Sequence, residues 1–130
     1  LQIDGYEVGA YKLENSRAGL GINNRSQLAE ASRVIRQRIN DQTMLGGVTL
    51  EDPDSTYITQ DVQIGIDTVI RPNCILEKGT IIGKNCTIGP NVRLSGAIVS
   101  DEMTIEYAVV VGQNVSKEAT VAPFSYVSPD

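Results

Sequence analysis

The sequence predicts a mainly β fold. It reads as a parallel β-helix of hexapeptide repeats, about four coils long, preceded by a long α-helical arm and a short strand. Three observations predict it. Seven aliphatic residues, Ile58, Ile64, Ile70, Leu76, Ile82, Ile88 and Leu94, fall six apart without a miss. A turn-forming pair follows each of the middle five leads: Ile66-Asp67, Pro72-Asn73, Lys78-Gly79, Lys84-Asn85 and Pro90-Asn91. The place after each pair is small: Thr68, Cys74, Thr80, Cys86 and Val92. A short fixed period of this kind is the signature of a solenoid.

The totals agree with a folded, aliphatic domain. At 130 residues, one domain with at most an appendage is the default. The chain is 41% apolar and 21% charged, with one Phe, five Tyr and no Trp, so its core must be built from Ile, Leu and Val. The net charge of −5 and the lack of a dense basic cluster beyond Arg33, Arg36 and Arg38 argue against a nucleic-acid partner. No apolar run approaches the ~20 residues that span a bilayer, and nothing reads as a signal peptide, so the expectation is a cytoplasmic chain with no membrane partner. The absence of histidine removes the usual general base near neutral pH and any Ser-His-Asp or Cys-His nucleophile within the chain. The chain opens on Leu1 without an initiator Met and stops at Asp130 inside a repeat, so both ends read as cut.

Taken in order, Tyr6, Val8 and Ala10 alternate with Glu7 and Gly9, which predicts a short strand within 1–13. Asn15, Ser16, Gly19 and Gly21 mark a loop over 14–22. A helix is expected over 25–45, about 30 Å long. Asn24 is its N-cap, Gln27 stands in the capping-box place, and Gly46-Gly47 ends it. Leu28, Ala31, Ile35 and Ile39 give it one apolar stripe, with Arg33, Arg36, Arg38, Asn40 and Asp41 assigned to the solvated side. Residues 47–57 read as a strand start followed by a turn at Asp52-Pro53-Asp54.

The hexads then take over. Pro presets φ for the first centre of a type II turn, and Gly, Asn or Asp accepts the positive φ of the second. Three strands and three corners close a coil of about 18 residues. Ile58 should therefore stack beneath Leu76 and Leu94, Ile64 beneath Ile82, and Ile70 beneath Ile88. After Leu94 the period slips. Val99, Ile105 and Val111 hold one frame, and Val115, Val121 and Val127 another, with Ala119 and Ser125 in the small place. Looser corners are expected at Asp101-Glu102, Tyr107-Ala108 and Gln113-Asn114.

Candidate chemistry is sparse. Cys74 and Cys86 lie 12 residues apart, hence on different faces, with no His or further Cys to complete a metal site. They are expected to pack. Glu51, Asp52 and Asp54, and separately Asp101 and Glu102, are carboxylate clusters of the kind that serve acid–base chemistry or hard cations, or that simply solvate turns. Asn23 and Asn24, just before the helix, offer oxygens to a hard cation or a cap to the helix.

The run GINNRSQLAEASRVIRQRINDQTMLGGVTLEDPDSTYI, followed by hexapeptides, resembles one family across nearly the whole chain. It is that of the bifunctional bacterial enzymes that make UDP-N-acetylglucosamine, the N-acetylglucosamine-1-phosphate uridylyltransferase/glucosamine-1-phosphate acetyltransferases. The resemblance implies a left-handed β-helix that forms homotrimers. It implies three regions: 1–23 as the end of a nucleotidyltransferase domain, 24–47 as a linker helix, and 48–130 as the β-helix. Asn23 matches the family Asn that helps hold Mg²⁺ and the sugar nucleotide, so it is the substrate-binding and metal-site candidate. The rest of that nucleotide site belongs upstream of Leu1. Pro123-Phe124-Ser125-Tyr126-Val127-Ser128-Pro129-Asp130 aligns with the family's Pro-Phe-x-x-hydrophobic-Arg-Pro-Gly. The Arg there binds a substrate phosphate, and Ser128 stands in its place. The catalytic His and Lys of acetyl transfer would lie beyond Asp130.

The expectation is thus a UDP-N-acetylglucosamine pyrophosphorylase-related chain without a complete active site, and no catalytic residue is assigned. Two other readings fit the residues: a stand-alone trimeric hexapeptide scaffold, or an assembly and regulatory domain of another sugar-nucleotide pyrophosphorylase.

Overall fold

The structure is a computed structural model that describes residues 24–129. The strand and loop expected within residues 1–22, and Asn23, lie outside the described residues.

The first element is the helix α1, Arg25–Leu45. Asn24 caps it: its Oδ1 accepts the Gln27 amide at 2.9 Å, satisfying one of the donors that every helix start leaves open. At the other end Gly47 takes φ 99°. The Gly47 amide bonds the Met44 carbonyl and the Val48 amide bonds that of Thr43, which is a Schellman stop. Leu28, Ala31, Ile35 and Ile39 are half-buried, as their spacing required. Asn40 is a correction. It was expected in solvent, yet it is the one fully buried residue of α1.

Residues 39–130 form a compact unit of their own, in which thirteen short strands wind into a parallel β-helix. One face carries β1 (Thr49–Leu50), β4 (Val69–Ile70), β7 (Thr87–Ile88) and β10 (Thr104–Ile105). The second carries β2 (Thr56–Ile58), β5 (Cys74–Glu77), β8 (Arg93–Ser95), β11 (Ala108–Val111) and β13 (Ser125–Val127). The third carries β3 (Gln63–Ile64), β6 (Ile81–Ile82), β9 (Ile98–Val99) and β12 (Asn114–Val115). Each strand pairs only with strands on its own face, always in parallel. Four coils are complete, and β13 opens a fifth.

The register is the one the hexads demand. Ile58 aligns with Leu76 and Leu76 with Leu94; Ile64 aligns with Ile82, and Ile70 with Ile88. Because side chains alternate along a strand, the lead residue points into the coil and its neighbour, such as Ile75 or Ile81, points out and is partly exposed. Each fully buried lead contributes roughly 1.5–3 kcal/mol of apolar transfer before entropy is counted. The small places are buried too, Thr56, Thr68, Cys74, Thr80 and Cys86 among them. The corner centres Asp67, Asn73, Gly79, Asn85 and Asn91 all take positive φ, between 57° and 83°. Their backbones also bond the corner below, for example the Asn91 amide to the Pro72 carbonyl at 3.1 Å.

Beyond Leu94 three details differ from expectation, and they have one cause. The corner Ser95-Gly96 turns on a single left-handed residue, Gly96 at φ 61°, so Ala97 reaches the small place one residue early. Ile81 then pairs with Ile98, and Ile82 with Val99. The corner Asp101-Glu102 keeps its full length, but the one after Ile105 shortens likewise at Glu106-Tyr107, not Tyr107-Ala108: Tyr107 takes φ 48° while Ala108 is buried in β11. The lead residue is therefore Val110, aligned with Leu94 and fully buried, whereas Val111 is only half-buried beside Ser95. The following corner turns on Gly112, and Asn114 already belongs to β12. Ala119 is a further correction. It is exposed in an isolated bridge to Ser116, whereas Ser125 does take the small place above Ala108.

Candidate functional site

Several of the groups singled out for chemistry have a structural engagement. Asp52 Oδ2 accepts the Ser55 hydroxyl at 2.8 Å, stapling the 3-10 turn Pro53–Ser55. Glu51 faces Arg71 across 3.5 Å on the neighbouring coil, and Arg71 also reaches Glu106 at 4.0 Å. These exposed pairs are worth little individually. Asp101 Oδ1 accepts the Lys84 amide at 3.0 Å, and Glu102 is the left-handed centre of its corner. The two carboxylate clusters are therefore parts of different corners, and neither converges on a shared point. Among the described residues no three His, Cys, Asp or Glu side chains are placed to hold a metal ion.

Cys74 and Cys86 are both buried and unpaired. Their thiols lie against main-chain carbonyls, Cys74 at 3.6 Å from Ile88 O and Cys86 at 3.1 Å from Ser100 O. Cys74 opens β5, on the second face, while Cys86 precedes β7, on the first. Burial pushes the Cys74 thiol up to about 11, partly opposed by the Val92 backbone and the Arg71 charge. A thiol that stays neutral is neither a nucleophile nor a ligand at neutral pH. The raised folded value means that this burial contributes stability below the free thiol's 9.0, and loses it as pH rises toward about 11. Neither cysteine should react with a maleimide at pH 7.5 until the chain is denatured, when both should; native labelling would refute the packing role.

Sequence reasoning did not foresee one feature. At the foot of the solenoid lies a half-open cavity of about 270 Å³. Ile39, Val48, Ile58, Val62 and Ile64 give it apolar walls; Gln42, Thr43, Thr59 and Gln60 give it a polar rim. Among the described residues, no ionisable side chain lines it. Its signal in the sequence was faint. Ile58 and Ile64 open the repeat with no coil beneath them, which leaves one side of each to be covered.

Asn23, the site candidate from the sequence, is not among the described residues, and nothing of its geometry enters here. Its neighbour Asn24 has its side-chain oxygen committed to the helix cap. Ser128 follows β13 and is half-buried.

A triangular ladder of hexads with left-handed corners defines the chain as a hexapeptide-repeat β-helix protein. Residues 61–96 match the family described as bacterial transferase hexapeptide (six repeats). Beyond that class, the chain is a relative of the proteins named bifunctional protein GlmU. It is 51% identical over 125 residues to that of Acetivibrio thermocellus, covering 96% of this chain and 27% of that protein. It is 43% identical over 129 residues to that of Clostridium botulinum, covering 99% of this chain and 28% of that one. With the protein of Trichlorobacter lovleyi the identity is 46% over 111 residues, 85% of this chain and 24% of that one. The chain thus spans about a quarter of the length of these relatives.

Proposed function

We propose that this chain is the arm and the assembling β-helix of an enzyme of amino-sugar nucleotide synthesis. In this reading 1–23 close a nucleotidyltransferase domain, 24–47 are the linker helix, and 48–130 are the β-helix, left-handed as in the family it resembles. One observation carries the reading: the stretch that is 51% identical to a GlmU protein runs through both the helix and the coils, so the likeness is not that of hexapeptide repeats alone. The parent reaction is uridylyl transfer from UTP to an amino-sugar 1-phosphate with Mg²⁺, in a cytoplasmic homotrimer. Asn23 contributes to Mg²⁺ and sugar-nucleotide binding there, together with groups that other parts of the enzyme supply.

The 130 residues alone should be inactive. Incubated with UTP, N-acetylglucosamine 1-phosphate and Mg²⁺, they should release no pyrophosphate, and clear turnover would overturn this assignment. Millimolar Mg²⁺ should leave the melting temperature of the chain unchanged, since Asn23 lacks its partners; a dose-dependent rise would show a complete site. Light scattering at micromolar concentration should give three times the 14.0 kDa chain mass, and a monomer would count against assembly through the β-helix.

A further inference from the structure

The buried side chain of α1 is polar, and this calls for an explanation that packing does not supply. Asn40 is 2% exposed. Its Nδ2 donates to the Pro53 carbonyl at 2.9 Å and to the Thr56 carbonyl at 3.1 Å, so both amide protons are used. These carbonyls flank the 3-10 turn Pro53–Ser55, which is fixed from within. The Thr56 hydroxyl donates to Asp52 O at 2.8 Å, and Ser55 to the Asp52 carboxylate. The turn therefore presents two acceptors at a set spacing to a two-donor side chain on the helix. Asn40 Oδ1, in contrast, is buried without a partner.

We propose that Asn40 is a hydrogen-bonded latch that seats the last turns of α1 on the turn opening the solenoid, and lets them lift off while the coils stay folded. The reasoning is a comparison of magnitudes. Two neutral hydrogen bonds stabilise the seat by about as much as one orphaned buried oxygen costs. The remaining contacts are partial, since Ile39 and Met44 are only half-buried against the core, and the cavity at the foot of the solenoid leaves Ile39, Gln42 and Thr43 incompletely covered. The seat is thus specific but nearly balanced. The coils above it carry continuous ladders on three faces. Regions with few buried apolar contacts open locally, ahead of the global transition.

Amide hydrogen exchange on the 130-residue chain tests this, with the solenoid amides of Arg71, Ile75 and Thr87 as internal standards; each of them bonds the next coil. Asn40→Ala and Asn40→Leu should both lower protection over residues 41–48 about tenfold and leave the standards unchanged. Asn40→Asp adds a readout that packing alone cannot give. Its carboxylate has no proton for the two carbonyls, whereas its acid form has one. Asp52 and Asp54 beside the turn and Asp41 on the helix favour that neutral form. Protection over 41–48 should therefore fall in this variant as pH rises through the titration of residue 40, and stay level in the wild type. Wild-type protection in Asn40→Leu would make the side chain a filler and overturn the latch. So would equal loss at the standards, or a level pH profile in Asn40→Asp.

Discussion

Ile82→Asp is expected to unfold the solenoid, with the β-type circular dichroism lost at 25 °C and no cooperative melt remaining. Ile82 is 2% exposed and sits mid-column between Ile64 and Val99. The change forfeits roughly 1.5–3 kcal/mol of apolar burial. It also places a carboxyl among aliphatic side chains, where an unpaired charge costs several kcal/mol more. Domains have only about 5–15 kcal/mol in total. A parallel β-helix offers little relief, because a lead residue in an inner coil, such as Ile82, is aligned with the coil above and the coil below. Ile82→Val is the control: it removes one methylene and should cost about 0.5–1.5 kcal/mol, seen as a small drop in melting temperature. An aspartate variant that melts like the wild type would contradict the inward stacking.

The repeat was legible because its physics is local. A hexad needs an aliphatic lead, a turn pair and a small residue. Asn73, Asn85 and Asn91 all take the left-handed φ their positions called for. Legibility failed after Leu94 because a corner can turn on one residue as well as two. Gly96 and Gly112 are natural single centres, but nothing local marks Tyr107 as one, since a bulky side chain seldom accepts φ near 48°. Its amide is held by the Pro90 carbonyl at 3.0 Å, and its ring lies 5.2 Å from that of Phe124 in the next coil. The contacts that fix this corner come from other coils, which no reading of one hexad could supply.

The helix shows the same limit. Its cap and its stop were readable from Asn24 and Gly46-Gly47, both of which act within a few residues. Asn40 was placed in solvent because asparagine on a helix usually is. Its burial depends on two carbonyls more than ten residues away, and only the folded chain brings them together. For the candidate site, the sequence correctly separated the cysteines onto different faces and left the carboxylates to the corners. Of the cavity it carried only the faint sign of two uncovered leads, Ile58 and Ile64, because the cavity forms where the helix end meets the first coil rather than from any motif.

Thr80 illustrates what the shortened corner costs. Its hydroxyl is buried without a partner, whereas the equivalent Thr68 both donates to Gly83 O at 2.7 Å and accepts the Cys86 amide at 3.1 Å. Thr68 lies below a full-length corner, and Thr80 lies below Ala97, where the chain arrives one residue early. Thr80→Val keeps the shape and removes the orphaned group, so it should raise stability by about 1 kcal/mol. The measurement is the denaturant midpoint. A lower midpoint would mean that the hydroxyl has a partner after all.

Gly83→Ala is expected to be a strongly destabilising single-methyl addition. Gly83 has an ordinary φ, so its need for glycine is not conformational. A Cβ there would stand 2.8 Å from the Asp101 amide nitrogen and 2.9 Å from its Cα, and closer still to the Asp101 carboxylate. Gly65, one coil below, would meet the backbone of Gly83 and Lys84 at 2.6 Å in the same way. This corner is therefore stacked backbone on backbone. Rotating a side chain cannot make room, because the obstruction includes main chain of the next coil. Adding the methyl must lift that coil, stretching the bond from the Lys84 amide to Asp101 and that from the Glu102 amide to the Lys84 carbonyl at 2.9 Å. Overpacking of this kind costs about 1–3 kcal/mol, or more where the backbone itself has to move. The upper end applies here, seen as a melting temperature lowered by about 10 °C or more for a domain of this size. Gly46→Ala is the comparison, since an added Cβ there meets nothing closer than 3.4 Å; its change should be small. If Gly83→Ala lost no more stability than Gly46→Ala, the corner would have room that the stacking of the coils denies it.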